Sequence, residues 1–387
     1  MINFRTSQII DPPIVEFKSR LIGLCNKTRV IDLCQAIPSY PMPAQMKKTI
    51  IENFDDKLSF YSEDQGIPEL REEICKLHNV NGVNVKPSNI LVTAGANQAA
   101  FTLFTAMFKQ GDKVALPVPY YFNYDMGLRM LGVEPVYYFL DEEDNFKLKF
   151  NKLDENIFKT CKAFVIVNPN NPTGVEYEKE ELQLLYNECK KNDVTLIADE
   201  TYGFFSQKGY PDSSLLSYFK RLDDLVVVNT FSKSFSLTGF RVGYLILNDE
   251  LMKQVMKVQD TVITCAPRIS QLAALIGLRE CRGWLSEKVE YVNSNVREFT
   301  KLFNANLKEF KLSSCGAFFA YVKHPYRSKT ATQAAELIAS KTDMMTLPGL
   351  IFGPKQESFL RLAFGSLSGK NELNQVVERF SNLEKNI

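Results

Sequence analysis

Between Asn89 and Leu247, short apolar runs rich in β-branched residues alternate with helical patterns, and no feature of this 387-residue chain narrows its fold more. Strands are expected at 90–93, 113–116, 135–140, 163–167, 194–198, 225–228 and 244–247. Runs such as 163–167 and 225–228 show no apolar–polar alternation, so both faces of their sheet must be covered. Helical patterns lie between them, as at 179–191 with its 3.6-residue apolar spacing, and crossovers of this kind make a sheet mainly parallel. The expected fold class is therefore α/β, with a mainly parallel central sheet flanked by helices. Ligands of such sheets gather beyond the carboxyl ends of the strands.

Four of these strands run into residues that carry chemistry. The first leads to Gly95-Ala96-Asn97 at a helix start, where unpaired N–H groups and the helix dipole favour a phosphate. The strand at 163–167 runs into Asn168-Pro-Asn-Asn-Pro-Thr-Gly174, whose two prolines and glycine fix a loop able to hold Asn171 as a directed amide. Asp199-Glu200-Thr201-Tyr202 follows the next one. A carboxylate there is costly to desolvate unless it meets a cation or a protonated ring nitrogen. The run at 225–228 delivers Thr230, Ser232 and Lys233, then Arg241. A lysine whose charge is disfavoured by partial desolvation suits an amine nucleophile or base. One Ser-Lys turn alone would be an ordinary solvated loop; four such strand ends in one sheet are not. A phosphate cradle, a buried acid, a directed Asn and Tyr, and a lysine together describe a site for pyridoxal 5′-phosphate (PLP).

Helical patterns also cover 44–54 and 68–78, and after Arg268 they continue at 269–281 and 285–310. A mixed segment closes the chain, with strands near 317–322 and 359–364 and helices at 330–340 and 371–385. Residues 43–284 are expected to form the large domain and 285–387 a smaller α+β domain. The proline-rich stretch 1–42, without periodicity of its own, is expected to pack with the smaller domain and cover the site. Net charge is +1, so no global field draws the chain to nucleic acid or an anionic membrane. No segment is apolar for long enough to span a bilayer, and the amino terminus lacks a secretory pattern. The eight cysteines form no C-x-x-C pair and read as reduced thiols of a cytoplasmic protein. With only His78 and His324, neither a histidine-rich metal site nor a Ser-His-Asp hydrolase is expected. A G-x-G-x-x-G dinucleotide turn is also missing.

In the order and spacing of its motifs, the chain resembles the class I/II aminotransferases, fold-type I PLP enzymes, over nearly its whole length. The matching stretches are Tyr61-x4-Gly66-x3-Leu70-Arg71, Thr93-Ala-Gly-Ala-Asn, Pro119-Tyr-Tyr-Phe-Asn-Tyr, Asn168 to Gly174, Asp199-Glu-Thr-Tyr202, Ser232-Lys233 with Arg241 beyond, and Leu360-Arg361-Leu. The resemblance implies the PLP-dependent transferase fold, with Lys233 as Schiff-base lysine and proton carrier and Asp199 as partner of the pyridine nitrogen. Asn171 and Tyr202 would hold the phenolic oxygen, and Tyr121 would stack on the ring. Gly95, Ala96, Asn97, Thr230, Ser232 and Arg241 would surround the phosphate. Tyr61 would reach the phosphate of a neighbouring subunit, which implies a homodimer with shared sites. Arg361 would take the substrate α-carboxylate, with Asn171 and Ala36 beside it. Ala36 stands where the family commonly has glycine, and its methyl would narrow the pocket. Phe17, Tyr40, Tyr120 and Phe352 are candidates to line that pocket for apolar or aromatic substrates, although most aromatics of this kind belong to the core. Arg268 lies where some relatives recruit a cross-subunit cation, although an arginine at a helix start more often makes a surface contact. The implied activity is ping-pong transfer of an amino group between an L-amino acid and a 2-oxo acid; the same cofactor residues would also serve a PLP-dependent lyase, cyclase or oxidase.

Overall fold

All seven expected apolar runs of the first sheet become strands: β1 (Ile90–Thr93), β2 (Lys113–Val118), β3 (Glu134–Phe139), β4 (Ala163–Val167), β5 (Thr195–Asp199), β6 (Leu225–Thr230) and β7 (Gly243–Ile246). The structure, a computed structural model, describes residues 4–26 and 29–385. Residues 1–3 and 27–28 of the amino-terminal span, and 386–387 of the carboxyl-terminal one, lie outside the described residues. The strands are ordered β1-β7-β6-β5-β4-β2-β3, and every neighbouring pair is parallel except those made by β7. Successive residues of a strand point to opposite faces, so Phe164 and Ile166 of β4 join one core while Ala163, Val165 and Val167 join another. Proline is tolerated where a strand needs no N–H. Pro135 lies in the edge strand β3, and Pro117 of β2 lies past Val114 and Ala115, the last residues to pair with β4.

A second sheet contains β8 (Lys311–Gly316), β9 (Phe319–Lys323), β10 (Leu347–Pro348) and β11 (Phe359–Ala363), antiparallel in the order β10-β11-β9-β8. Helices Ala331–Thr342 and Lys370–Glu384 pack beside it, the latter against the long helix Arg282–Asn306. The amino-terminal stretch joins this second unit: Ile31–Asp32 pairs in parallel with Met344–Met345, and helix α1 (Pro13–Ile22) packs on Ala331–Thr342.

That stretch is not wholly irregular, contrary to the sequence reading. Pro12-Pro13 reads as a breaker, yet a proline in the first helical turn gives up an N–H that would be unpaired anyway. Pro13 therefore opens α1, which buries Phe17 and Leu21. Three further helices place functional residues or close the large sheet: α2 (Ala96–Met107), α3 (Phe122–Met130) and α4 (Asp249–Ile263). Neither α3 nor α4 was foreseen. For α4 the signal was present, since Asn248 caps it by accepting from the Leu251 N–H (2.8 Å) and Asp249 and Glu250 fill its first turn.

Candidate active site

Because β7 runs against its neighbours, it begins where β1 and β6 end, and Gly243 is registered with both Thr93 and Thr230. Arg241, two residues earlier, is thereby delivered to the start of α2. A Cβ at Gly243 would lie 2.6 Å from the Asn229 carbonyl oxygen and 3.0 Å from the Ala96 nitrogen, so glycine lets strand and helix close up. At Gly95 the backbone is left-handed (φ +86°), and a Cβ would stand 2.6 Å from Arg241 Nη2. No side chain caps the first turn of α2. Thr230 and Ser232 face each other with hydroxyls 2.9 Å apart, while Arg241 is anchored by Nη1 donating to the Thr238 carbonyl (2.9 Å). The Thr230 hydroxyl donates to the Val242 carbonyl (2.8 Å) and so backs Ser232, leaving free N–H groups, the Ser232 hydroxyl and a guanidinium to converge on one spot, a donor set for a dianion.

Asp199, at the end of β5, is buried. The Tyr124 hydroxyl donates to its Oδ2 (2.7 Å) and the Thr201 N–H to its Oδ1 (2.8 Å). Burial pushes this carboxyl up, and the Thr201 hydroxyl, the Thr201 N–H and the Tyr124 hydroxyl pull against it. Lys233 is pushed down to about 8, first by burial and then by the charges of Arg241 and Arg361. Its Nζ donates to the Ala36 carbonyl and lies 6.0 Å from the centre of the Tyr202 ring. Tyr121 is pinned at its hydroxyl, which donates to Asn97 Oδ1 (3.2 Å) and accepts from Asn123 Nδ2 (2.8 Å).

Arg361 comes from the other sheet. It sits mid-strand in β11, opposite Tyr321 and Leu347, and is only 1% exposed. Phe319 and Phe352 flank its guanidinium at 5.1 and 5.2 Å, a desolvated cation–π arrangement. Nη1 donates to Asn171 Oδ1 (3.3 Å) and Nη2 to the Cys34 carbonyl, while the buried Nε has no partner among the described residues.

One cleft of about 490 Å³ is lined by Ala36, Ala96, Asn97, Tyr121, Asn171, Asp199, Tyr202, Thr230, Ser232, Lys233, Arg241 and Arg361. Gly95 adjoins it through Ala96. Tyr61 stands apart, 80% exposed, with its carbonyl accepting from Arg268 Nη1 (3.2 Å), and neither residue lines the cleft of its own chain. Phe17, Tyr40, Tyr120 and Phe352 are core residues rather than pocket lining. Tyr40 instead donates to the Lys233 carbonyl (3.1 Å), and Phe352 lies on Arg361. Pro12, Pro13, Ile14, Val15 and Ile37, which sequence reasoning did not single out as lining, add apolar surface beside Phe122, Met126 and Val167. Tyr124 was also missed as a site residue, although it closes the Pro119-Tyr-Tyr-Phe-Asn-Tyr motif. His78 is buried, pushed down to about 3 by desolvation, with Nε2 3.0 Å from the Tyr244 hydroxyl. Among the described residues no helix is long and apolar enough to cross a membrane.

A family model described as aminotransferase class I and II matches residues 28–380. The chain is 31% identical over 342 residues to a probable aspartate/prephenate aminotransferase of Aquifex aeolicus, 84% of each chain being covered. To an aromatic-amino-acid aminotransferase of Thermococcus litoralis it is 27% identical, with 92% of each covered. A solved structure of a Thermus thermophilus aspartate aminotransferase mutant superimposes with a TM-score of 0.88 at 25% identity, covering 99% of both chains. The family pattern thus takes in both sheets and every strand end that lines the cleft, and this chain belongs to the class I and II aminotransferases, enzymes that transfer amino groups.

Proposed function

We propose that this aminotransferase uses PLP held in the cleft by the residues described above, and that its amino donor carries an apolar or aromatic side chain. The observation that carries the reading is Lys233: a half-buried amine pushed down to about 8 by desolvation, facing the same cleft as Asp199, Arg241 and Arg361. The cleft's donor set suits PLP at both ends. The cradle that a Cβ at Gly95 would fill, with Arg241 across it, fits a phosphate. Asp199, whose donors are all neutral, fits a ring nitrogen that brings a positive charge.

When bound, PLP supplies an electron sink for the bonds at the amino-bearing carbon. The chain's residues supply the rest. Gly95, Ala96, Asn97, Thr230, Ser232 and Arg241 bind the phosphate, Asp199 holds the proton on the pyridine nitrogen, and Asn171 and Tyr202 hold the phenolic oxygen. Tyr121 covers one ring face. Lys233 anchors the cofactor and then, in its free-amine form, whose share rises through about pH 8, takes the proton from the substrate's α-carbon. Arg361 binds the α-carboxylate through its planar fork, with Asn171 and Ala36 beside it. Relatives are named for aspartate and for aromatic amino acids. Here Pro12, Pro13, Ile14, Val15 and Ile37 line the cleft, and this supports the apolar or aromatic alternative. We place the working form as a cytoplasmic homodimer in which the exposed Tyr61 reaches the neighbouring subunit's phosphate. The eight unpaired thiols, six of them buried, support a reducing compartment.

The test is the absorbance of PLP-loaded protein mixed with single amino acids, without oxo acid and without oxygen. Phenylalanine, tyrosine or leucine is expected to convert PLP to pyridoxamine phosphate with one oxo acid formed per subunit, and aspartate to do so poorly. Release of ammonia with PLP left unchanged would overturn the transfer reaction. Preference for aspartate would overturn the donor assignment alone.

A further inference from the structure

Something must keep Asp199 both charged and correctly turned if it is to hold a proton on a ring nitrogen. Desolvation works against the charge, and a carboxylate carrying none would offer an acid proton instead. The Thr201 hydroxyl and N–H oppose this from the turn after β5. The donor that comes from another element is Tyr124, on the first turn of α3, 3% exposed, 2.7 Å from Oδ2. Glu200, next in the chain, turns away to the Ser214 hydroxyl, the Leu215 N–H and the Tyr210 hydroxyl.

We propose that Tyr124 is a positioning residue for the reaction: its hydroxyl fixes the Asp199 carboxylate in its ionised form with its free lone pairs toward the cleft, so that the pyridine nitrogen stays protonated. The inference rests on the reading of Asp199 given above. The Thr201 N–H then serves Oδ1 and the Tyr124 hydroxyl serves Oδ2, and both Asp199 and Tyr124 border the cleft. Burial and the neighbouring carboxylate hold the Tyr124 phenol far above its ordinary range, so it donates and never competes for the charge. Tyr121 lies three residues earlier, its ring edge-on to that of Tyr124 at 6.0 Å, so one helix start carries both the ring that covers the cofactor and the hydroxyl that steadies its proton partner.

Phe replaces Tyr124 with the loss of a single oxygen, leaving its ring against Phe104 and Tyr121. The experiment loads wild type, Tyr124→Phe, Asp199→Ala and, as a packing control, Phe104→Leu with PLP labelled with ¹⁵N at the ring. It reads the ¹⁵N chemical shift at one pH and PLP affinity by equilibrium dialysis. Tyr124→Phe is expected to move the shift toward the unprotonated pyridine, in the direction of Asp199→Ala, and to weaken PLP binding about tenfold, as expected for one lost hydrogen bond to a charged group. Phe104→Leu should leave the shift in place. A wild-type shift in Tyr124→Phe, with Asp199→Ala displaced, would overturn the role of Tyr124 and leave that of Asp199 standing. Equal displacement in Tyr124→Phe and Phe104→Leu would reduce the effect to packing and overturn it as well. No displacement in Asp199→Ala would remove the reading of Asp199, and the inference with it.

Discussion

Lys233 can serve as the proposed base only while its amine is unprotonated, and the fold lowers its affinity for a proton. Burial and the two arginines bring it down to about 8, so ammonium dominates below that pH and free amine above it, where a solvated lysine would stay charged for about two units more. Competitive acetylation of the PLP-free protein by trace acetic anhydride, followed by peptide mass spectrometry, should therefore show the Lys233 rate levelling off just above pH 8. A solvated amine should keep accelerating toward the ordinary lysine range. A Lys233 profile of that kind would contradict the proposed desolvation. The side chains that carry such chemistry are legible in the sequence because they directly follow buried strands, as Asp199 and Lys233 do. The acceptors that hold them are less so. The carbonyls of Cys34 and Ala36, which receive Arg361 and Lys233, belong to the backbone and leave no residue signature. Tyr124 is a buried aromatic on a helix, and by residue type it is indistinguishable from core.

At the scale of elements, the two sheets meet where backbone touches backbone. Gly174, which ends the Asn171 loop, and Gly316, which ends β8, lie so close that a Cβ on Gly316 would stand 2.1 Å from the Gly174 carbonyl oxygen. The Ser314 hydroxyl donates to the Thr173 carbonyl at the same joint (2.8 Å). Gly316→Ala should force this joint apart and cost about 1–3 kcal/mol, the usual range for overpacking. Urea denaturation would measure the loss. A second effect is expected in KM for the amino acid, because Asn171 and Arg361 come from opposite sides of the joint; unchanged stability and KM would show that the backbone relaxes there freely. The strands were legible because a doubly covered sheet demands continuous apolar runs. Helix α1 was obscured by Pro12 and Pro13, whose meaning depends on whether a helix follows, and α3 by a sequence of aromatics with no clean 3.6-residue stripe.

At the scale of the molecule, the exposed apolar residues Phe54, Phe60, Tyr61 and Val262 suit burial against a second copy. In the proposed dimer each site takes Lys233 from one subunit and Tyr61 from the other. Mixing Lys233→Ala with Tyr61→Ala protein, with time for subunits to exchange, should give more activity than the two separately, because one site of each hybrid is intact. Simple addition of the two residual activities would show that Tyr61 does not cross between subunits. The parallel sheet could be foreseen from alternation alone, but the meeting of amino and carboxyl ends could not, since nothing local in Cys34 points to Arg361. That contact joins positions 327 residues apart, and Leu33 likewise exchanges backbone hydrogen bonds with Met345 and Ala363. During synthesis, then, the first part of the chain to leave the ribosome waits longest for a partner. The large sheet can assemble while residues 29–42 remain unclaimed, and a nascent chain stopped before β11 would already possess its lysine, its acid and its phosphate cradle yet lack the arginine proposed to recognise what it acts on.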